Sequence, residues 1–97
     1  MYIFYSDPGH AWLRVPKTEV EPIKHKISSC SYMDKDNVYL EEDCDALLFL
    51  NFKFGKNISY QSLHNKHIIK EEYKENIFIR NLPHFCNFPI DQIFSFI

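Results

Sequence analysis

Glycine is scarce in this chain: 97 residues contain only Gly9 and Gly55. That excludes a nucleotide-cradling loop of the G-x-G-x-x-G or G-x-x-x-x-G-K-[ST] type. No apolar run reaches the ~18 residues of a membrane span. No basic-then-apolar leader opens the chain. The expectation is a protein without a membrane partner that stays in the cytoplasm of the cell that makes it. Cys30, Cys44 and Cys86 form no C-x-x-C pair. Their odd number argues against a disulfide framework, so they read as reduced, buried thiols. A surplus of basic charge is missing too: 11 Lys and Arg face 13 Asp and Glu, for a net charge of −2. Direct nucleic-acid binding is therefore not expected to dominate.

Aromatic residues are abundant. Nine Phe, six Tyr and one Trp make up 16% of the chain. They fill a small core, or they anchor a partner surface, where Tyr, Trp and Phe are enriched. A mass of 11.7 kDa allows one domain. Apolar residues at 45% and charged residues at 25% are globular values. Residues 1–97 are accordingly read as a single domain, without repeat or linker.

Charge is unevenly placed. Residues 34–45 hold Asp34, Asp36, Glu41, Glu42, Asp43 and Asp45 against Lys35 alone. All six bases of the second half lie within 53–80. An acidic strip of this kind imitates phosphate or attracts a basic groove.

The local pattern predicts an α+β fold, an antiparallel sheet of hairpins packed against a central helix. Tyr2-Ile3-Phe4-Tyr5 is a β-favouring run. Ser6-Asp7-Pro8-Gly9 is a turn in which Gly9 takes the unusual dihedral. Residues 11–15 follow as a second strand, with Trp12 and Arg14 on one face and Leu13 and Val15 on the other. Thr18-x-x-Glu21 is a capping-box pattern for a short helix over 19–26. Strands over 28–33 and 38–41 pair across a polar turn. The best helix runs over 43–55, with Asp43 as N-cap, Asp45 near the positive end of the dipole and Gly55 as its stop. Alternation over 58–63 reads as a strand, residues 66–75 as a helix or an extended hairpin arm, and Ile77-Phe78-Ile79 as β. From Pro89, the apolar spacing of Ile90, Ile93, Phe94 and Ile97 predicts a short C-terminal helix.

Several chemistries are weighed on spacing. His64-x-x-His67 with His84 and Cys86 does not follow a standard zinc pattern. Asp34-x-Asp36 opens like a calcium loop, but Tyr39 stands where that loop needs glycine. Cys44 sits beside Asp43 and Asp45, whose charges raise a thiol pKa, so it reads as a buried structural thiol. Asp7 and His10 flank a turn and are a candidate acid–base pair. Glu41 and Glu42 fall on opposite faces of a strand. No catalytic residue, metal ligand or cofactor is assigned from these patterns.

Two segments together carry a resemblance. Tyr5-Ser6-Asp7-x-Gly9-His10-x-Trp12-Leu13-x-Val15-Pro16 and Tyr39-Leu40-Glu41-Glu42-Asp43-Cys44-Asp45-Ala46 resemble a family of small phage, prophage and plasmid proteins. Its pattern is FYSDxGHGWLxVP followed by YSYxxxxxxYLEEDCDA. Ser31-Tyr32-Met33 resembles the tyrosine-rich strand between them, and the likeness spans residues 4–50. Ala11 stands where that pattern has a second glycine. The Asn-, Phe- and Ile-rich end of this chain also differs from the polar end of the family.

The resemblance implies a mobile-element setting. By analogy, it implies an anti-CRISPR-like protein that inhibits a host defence protein or nucleoprotein complex. The surface expected to carry this is acidic and aromatic: Asp34, Asp36, Glu41, Glu42, Asp45, Tyr39 and Trp12, set against a basic nucleic-acid-binding groove. Two alternatives stand beside it. One is a small hydrolase or nucleotide-processing enzyme using Asp7, His10 and residues 41–45, which requires those segments to meet in one cleft. The other is a nucleic-acid-binding accessory using residues 53–80. A homodimer through the apolar tail is compatible with each.

Overall fold

Tyr2–Ser6 (β1) and Ala11–Pro16 (β2) form the first hairpin, with Tyr5 opposite Trp12 and Ile3 opposite Arg14. Tyr32–Met33 (β3) and Asn37–Glu41 (β4) form the second. The hairpins join through β2 and β4, antiparallel, with Trp12 opposite Glu41 and Leu13 opposite Leu40. This computed structural model describes residues 1–86, so the C-terminal helix expected from Pro89 onward lies outside the described residues.

The sheet is mixed rather than wholly antiparallel. Its order is β3-β4-β2-β1-β5, and Ile69–Tyr73 (β5) runs parallel to β1. A parallel neighbour needs a crossover, not a tight turn. The helical segments between β4 and β5 supply it. The fold is α+β, as the patterning predicts.

Alternation along β1, β2 and β4 divides the aromatic and aliphatic side chains between two faces. Phe4, Leu13, Val15, Val38 and Leu40 pack on one face with Ala46, Phe49, Leu50 and Leu63 from the helices. Tyr5, Trp12 and Tyr39 point to the other face, where Ile77 and Ile79 cover them. Residues 77–85 thus form a strap across the second face. At its far end Met33 N–H donates to Pro83 O, and Phe85 N–H donates to Ser31 O at 2.7 Å.

The first helix is shorter than the capping box implies. Lys17–Val20 (α1) starts directly after Pro16, which leaves Thr18 inside the turn and without a capping bond. The chain then tightens into a 3-10 turn, Glu21–Lys26, with Pro22 in its first turn. Residues 28–31 are not strand. Ser28 N–H and the Ser28 and Ser31 hydroxyls donate to the Asp45 carboxylate, and Cys30 and Ser31 N–H donate back to Ser28, so pairing with β4 is limited to Tyr32 and Met33. Gly9 does not adopt a positive φ, whereas Gly55 does, at 105°. Gly9 serves by being small: a Cβ there would lie 3.2 Å from Arg80 Nη2.

The central helix begins differently from expectation. Glu42–Ala46 is a π-helical turn that leads into Leu47–Phe54 (α2), and Glu41, not Asp43, caps it. Glu41 Oε2 accepts from Asp43 N–H at 2.9 Å and Cys44 N–H at 3.0 Å. The strand residue caps because the wide first turn points those two orphan N–H groups back at it. Residues 58–63 are also helical in part. Tyr60–Asn65 (α3) is started by Ser59, whose Oγ accepts from Ser62 N–H at 3.1 Å. That cap and burial of Leu63 override a short alternating pattern. Ile77-Phe78-Ile79 leads into a 3-10 turn, Phe78–Asn81, in place of a strand.

Candidate functional site

The two motif segments converge. β1 and β2 carry Asp7 and His10 on their connecting turn, and β4 delivers Glu41 beside it. His10 Nδ1 lies 3.4 Å from Glu41 Oε1. A carboxylate facing Nδ1 favours the tautomer with its proton there, which leaves Nε2 as an acceptor. Both residues line a cleft of about 390 Å³ with Trp12, Cys30, Tyr32, Asp43, Cys44, Arg80 and His84. His10 is half-exposed at its rim, while the Glu41 side chain is 9% exposed.

Each wall has a physical reason. The Asp7 carboxylate accepts from Gly9 and His10 N–H at 2.9 and 2.8 Å, which closes the turn that presents His10. It also binds the Arg80 guanidinium through Nε and Nη2, the latter at 3.1 Å. The Arg80 hydrogen bond, aided by the His10 and Gly9 N–H groups against burial, holds the Asp7 carboxyl well below the usual carboxylate range. Asp7 is therefore the anchor of the strap. Glu41, not Asp7, is the carboxylate that faces the His10 ring. Arg80 lies 5.1 Å from the Trp12 ring centroid, in cation–π range. His84 stacks on Tyr32 with centroids 4.5 Å apart, and its Nδ1 sits 2.7 Å from Ser29 O.

Two cysteines also line the cleft. Cys44 comes from the π turn and Cys30 from the 28–31 loop. Both are exposed, as is Cys86, which corrects the expectation of buried thiols. The hydrogen bond with Cys30, then Glu41 and burial, push the Cys44 thiol up to about 12. It is thus held protonated at neutral pH.

The residues expected to form an acidic and aromatic surface are dispersed. Trp12 and Tyr39 are buried in the second core. Asp45 is buried, where it accepts from Ser28 N–H, Ser28 Oγ and Ser31 Oγ. Asp34 accepts from Asp36 and Asn37 N–H and from the Tyr39 hydroxyl at 2.7 Å. Burial pushes its carboxyl up, but those bonds outweigh it and set it below the usual range. Burial, then the bond to Asp34, raises the Tyr39 hydroxyl. Glu41 is largely buried as cap and as partner of His10. Asp36 and Glu42 are exposed, but they stand at opposite ends of β4. Burial and the charges of Asp43, Glu41 and Glu71 raise the Glu42 carboxyl.

Sequence spacing did not single out Tyr32 or Arg80, and it weighed His84 only as a zinc ligand and Cys30 only as a reduced thiol. Arg80 and His84 reach the cleft on the strap, which arrives from the far end of the described chain. Among the described residues, no group of three or more His, Cys, Asp and Glu side chains is arranged to hold a metal ion. No described helix is long and apolar enough to cross a membrane. No protein-family profile matches the chain, and neither a curated protein nor a solved structure is similar to it.

Proposed function

We propose that the protein is a small hydrolase in which His10 is the general base. The observation that carries this reading is the Glu41–His10 pair, 3.4 Å apart, in the cleft where the two motif segments meet. In this reading Glu41 orients the imidazole, and Nε2 takes a proton from water as that water attacks an acyl carbon. The imidazolium then returns the proton to the leaving group. Arg80, fixed by Asp7 at the cleft wall, faces the negative charge that develops on the acyl oxygen. Cys44 is not assigned as the nucleophile, because its thiol is held protonated.

The test is hydrolysis of a panel of p-nitrophenyl esters by the wild type and by His10→Gln. His10 is on the rim, so this variant is expected to fold. Loss of about 10²–10⁴ in rate is expected. Equal rates for the two proteins, or no turnover of any ester by the wild type, would overturn the reading.

A second reading has its own support. The segment over 42–54 exposes Glu42, Asp43, Leu47, Phe52 and Phe54 together, a combination of acidic and apolar groups suited to a basic protein partner. Inhibition of a host defence nucleoprotein complex would use this stretch. Glu42→Lys with Asp43→Lys should then abolish capture of such a complex, and capture by the wild type should weaken as salt rises. Capture that is indifferent to both would remove this surface from consideration.

A further inference from the structure

We propose that Cys30 and Cys44 are a redox-active dithiol that closes into a reversible disulfide by exchange with a low-molecular-weight disulfide such as oxidised glutathione. The two thiols line the same cleft, and Cys30 is the neighbour with the largest influence on the Cys44 thiol. Both are exposed, so a small oxidant reaches them. Cys86 is exposed as well but does not line this cleft.

The backbone around the pair is clamped. Asp45, the residue after Cys44, binds Ser28 N–H at 3.1 Å and Ser28 Oγ at 2.8 Å, and it also binds Ser31 Oγ. Ser28 and Ser31 lie on either side of Cys30. Cys30 N–H donates to Ser28 Oγ at 3.2 Å, and Cys44 N–H donates to Glu41. One buried carboxylate therefore staples the loop that carries Cys30 to the turn that carries Cys44. Such fixed proximity raises the effective concentration of one thiol at the other.

The exchange balances without a further reactant. The Cys30 thiolate attacks one sulfur of oxidised glutathione, whose S–S bond breaks and releases one glutathione thiolate. Cys44 then attacks the Cys30 sulfur. The mixed disulfide breaks, the Cys30–Cys44 bond forms, and the second glutathione leaves. Two protein thiols are oxidised, one glutathione disulfide is reduced to two thiols, and the two protein protons pass to the departing thiolates. Cys44, protonated at neutral pH, passes its proton to a departing glutathione thiolate as it attacks.

The experiment equilibrates the full chain in glutathione redox buffers, quenches with acid, blocks free thiols with a maleimide and maps peptides by mass. In oxidising buffer the expected product carries a Cys30–Cys44 crosslink, with Cys86 outside it as a maleimide or glutathione adduct. Cys86→Ser should form the same crosslink. Cys44→Ser should instead accumulate a stable glutathione adduct on Cys30. Circular dichroism of each variant confirms that the fold persists. Independent adducts on all three cysteines, a crosslink to Cys86, or no oxidation at all would each overturn the proposal. None of these readouts depends on hydrolytic activity, so the dithiol and the hydrolase fail or stand separately.

Discussion

The buried Asp45 carboxylate is surrounded by hydrogen-bond donors. Ser28 and Ser31 supply the hydrogen bonds that water would otherwise make, and Ser31 Oγ in turn accepts from Glu41 N–H at 3.0 Å. Asp45→Ala leaves these buried donors unpaired, so a loss of about 3 kcal/mol is expected in urea unfolding. Asp7 provides a pH test. Its folded pKa lies below the unfolded value of about 3.9, so its contribution to stability is complete above about pH 5 and is lost as pH falls through the folded value. The difference in urea midpoint between wild type and Asp7→Asn should stay constant from neutral pH down to about pH 5 and shrink in stronger acid. A gap that persists at the lowest pH would show that charge on Asp7 is not what matters. Neither role is visible in spacing alone. A carboxylate in a turn and a carboxylate near a helix start look solvated until their partners, 73 and 17 residues away, are placed.

The elements that local pattern described well are those whose signals are internal. The strands at Tyr2–Ser6 and Ala11–Pro16 are β-favouring runs, and a tight turn joins them. The helix ending at Gly55 is stopped by a residue that alone tolerates φ 105° without strain. Gly55→Ala tests this directly, because no atom lies within 4 Å of a Cβ built there and the cost is purely conformational. A destabilisation of about 1 kcal/mol is expected in urea unfolding. The segments over 58–63 and 77–79 were less legible. Each is too short for its period to decide between helix and strand, and a single serine cap or a buried isoleucine settles the matter. The π turn at Glu42–Ala46 has no sequence signature of its own. It arises because Asp45 must reach the 28–31 loop while Glu41 stays in the sheet.

At the scale of the whole molecule, the strap over residues 77–85 makes the second face a core and contributes Arg80 and His84 to the cleft. Its Ile79 is fully buried against Tyr5, Trp12 and Tyr39. Ile79→Ala should cost about 3 kcal/mol in urea unfolding. It should also expose Trp12, seen as a red shift of its emission. If the emission is unchanged, the strap does not shield the indole. Aromatic abundance is divided by this architecture. Tyr5, Trp12 and Tyr39 fill the core beneath the strap, while Phe52, Phe54, Tyr73 and Phe78 remain outside.

Composition and alternation sufficed for the α+β class, the two hairpins, the two faces of β2 and the stop at Gly55, because each depends on neighbours within a few residues. The parallel placement of β5, the strap, the partner of His10 and the meeting of Cys30 with Cys44 rest on contacts between distant segments. Those contacts are set by which buried polar groups must be satisfied and which apolar face must be covered. A linear pattern does not carry that information, and the packed chain does.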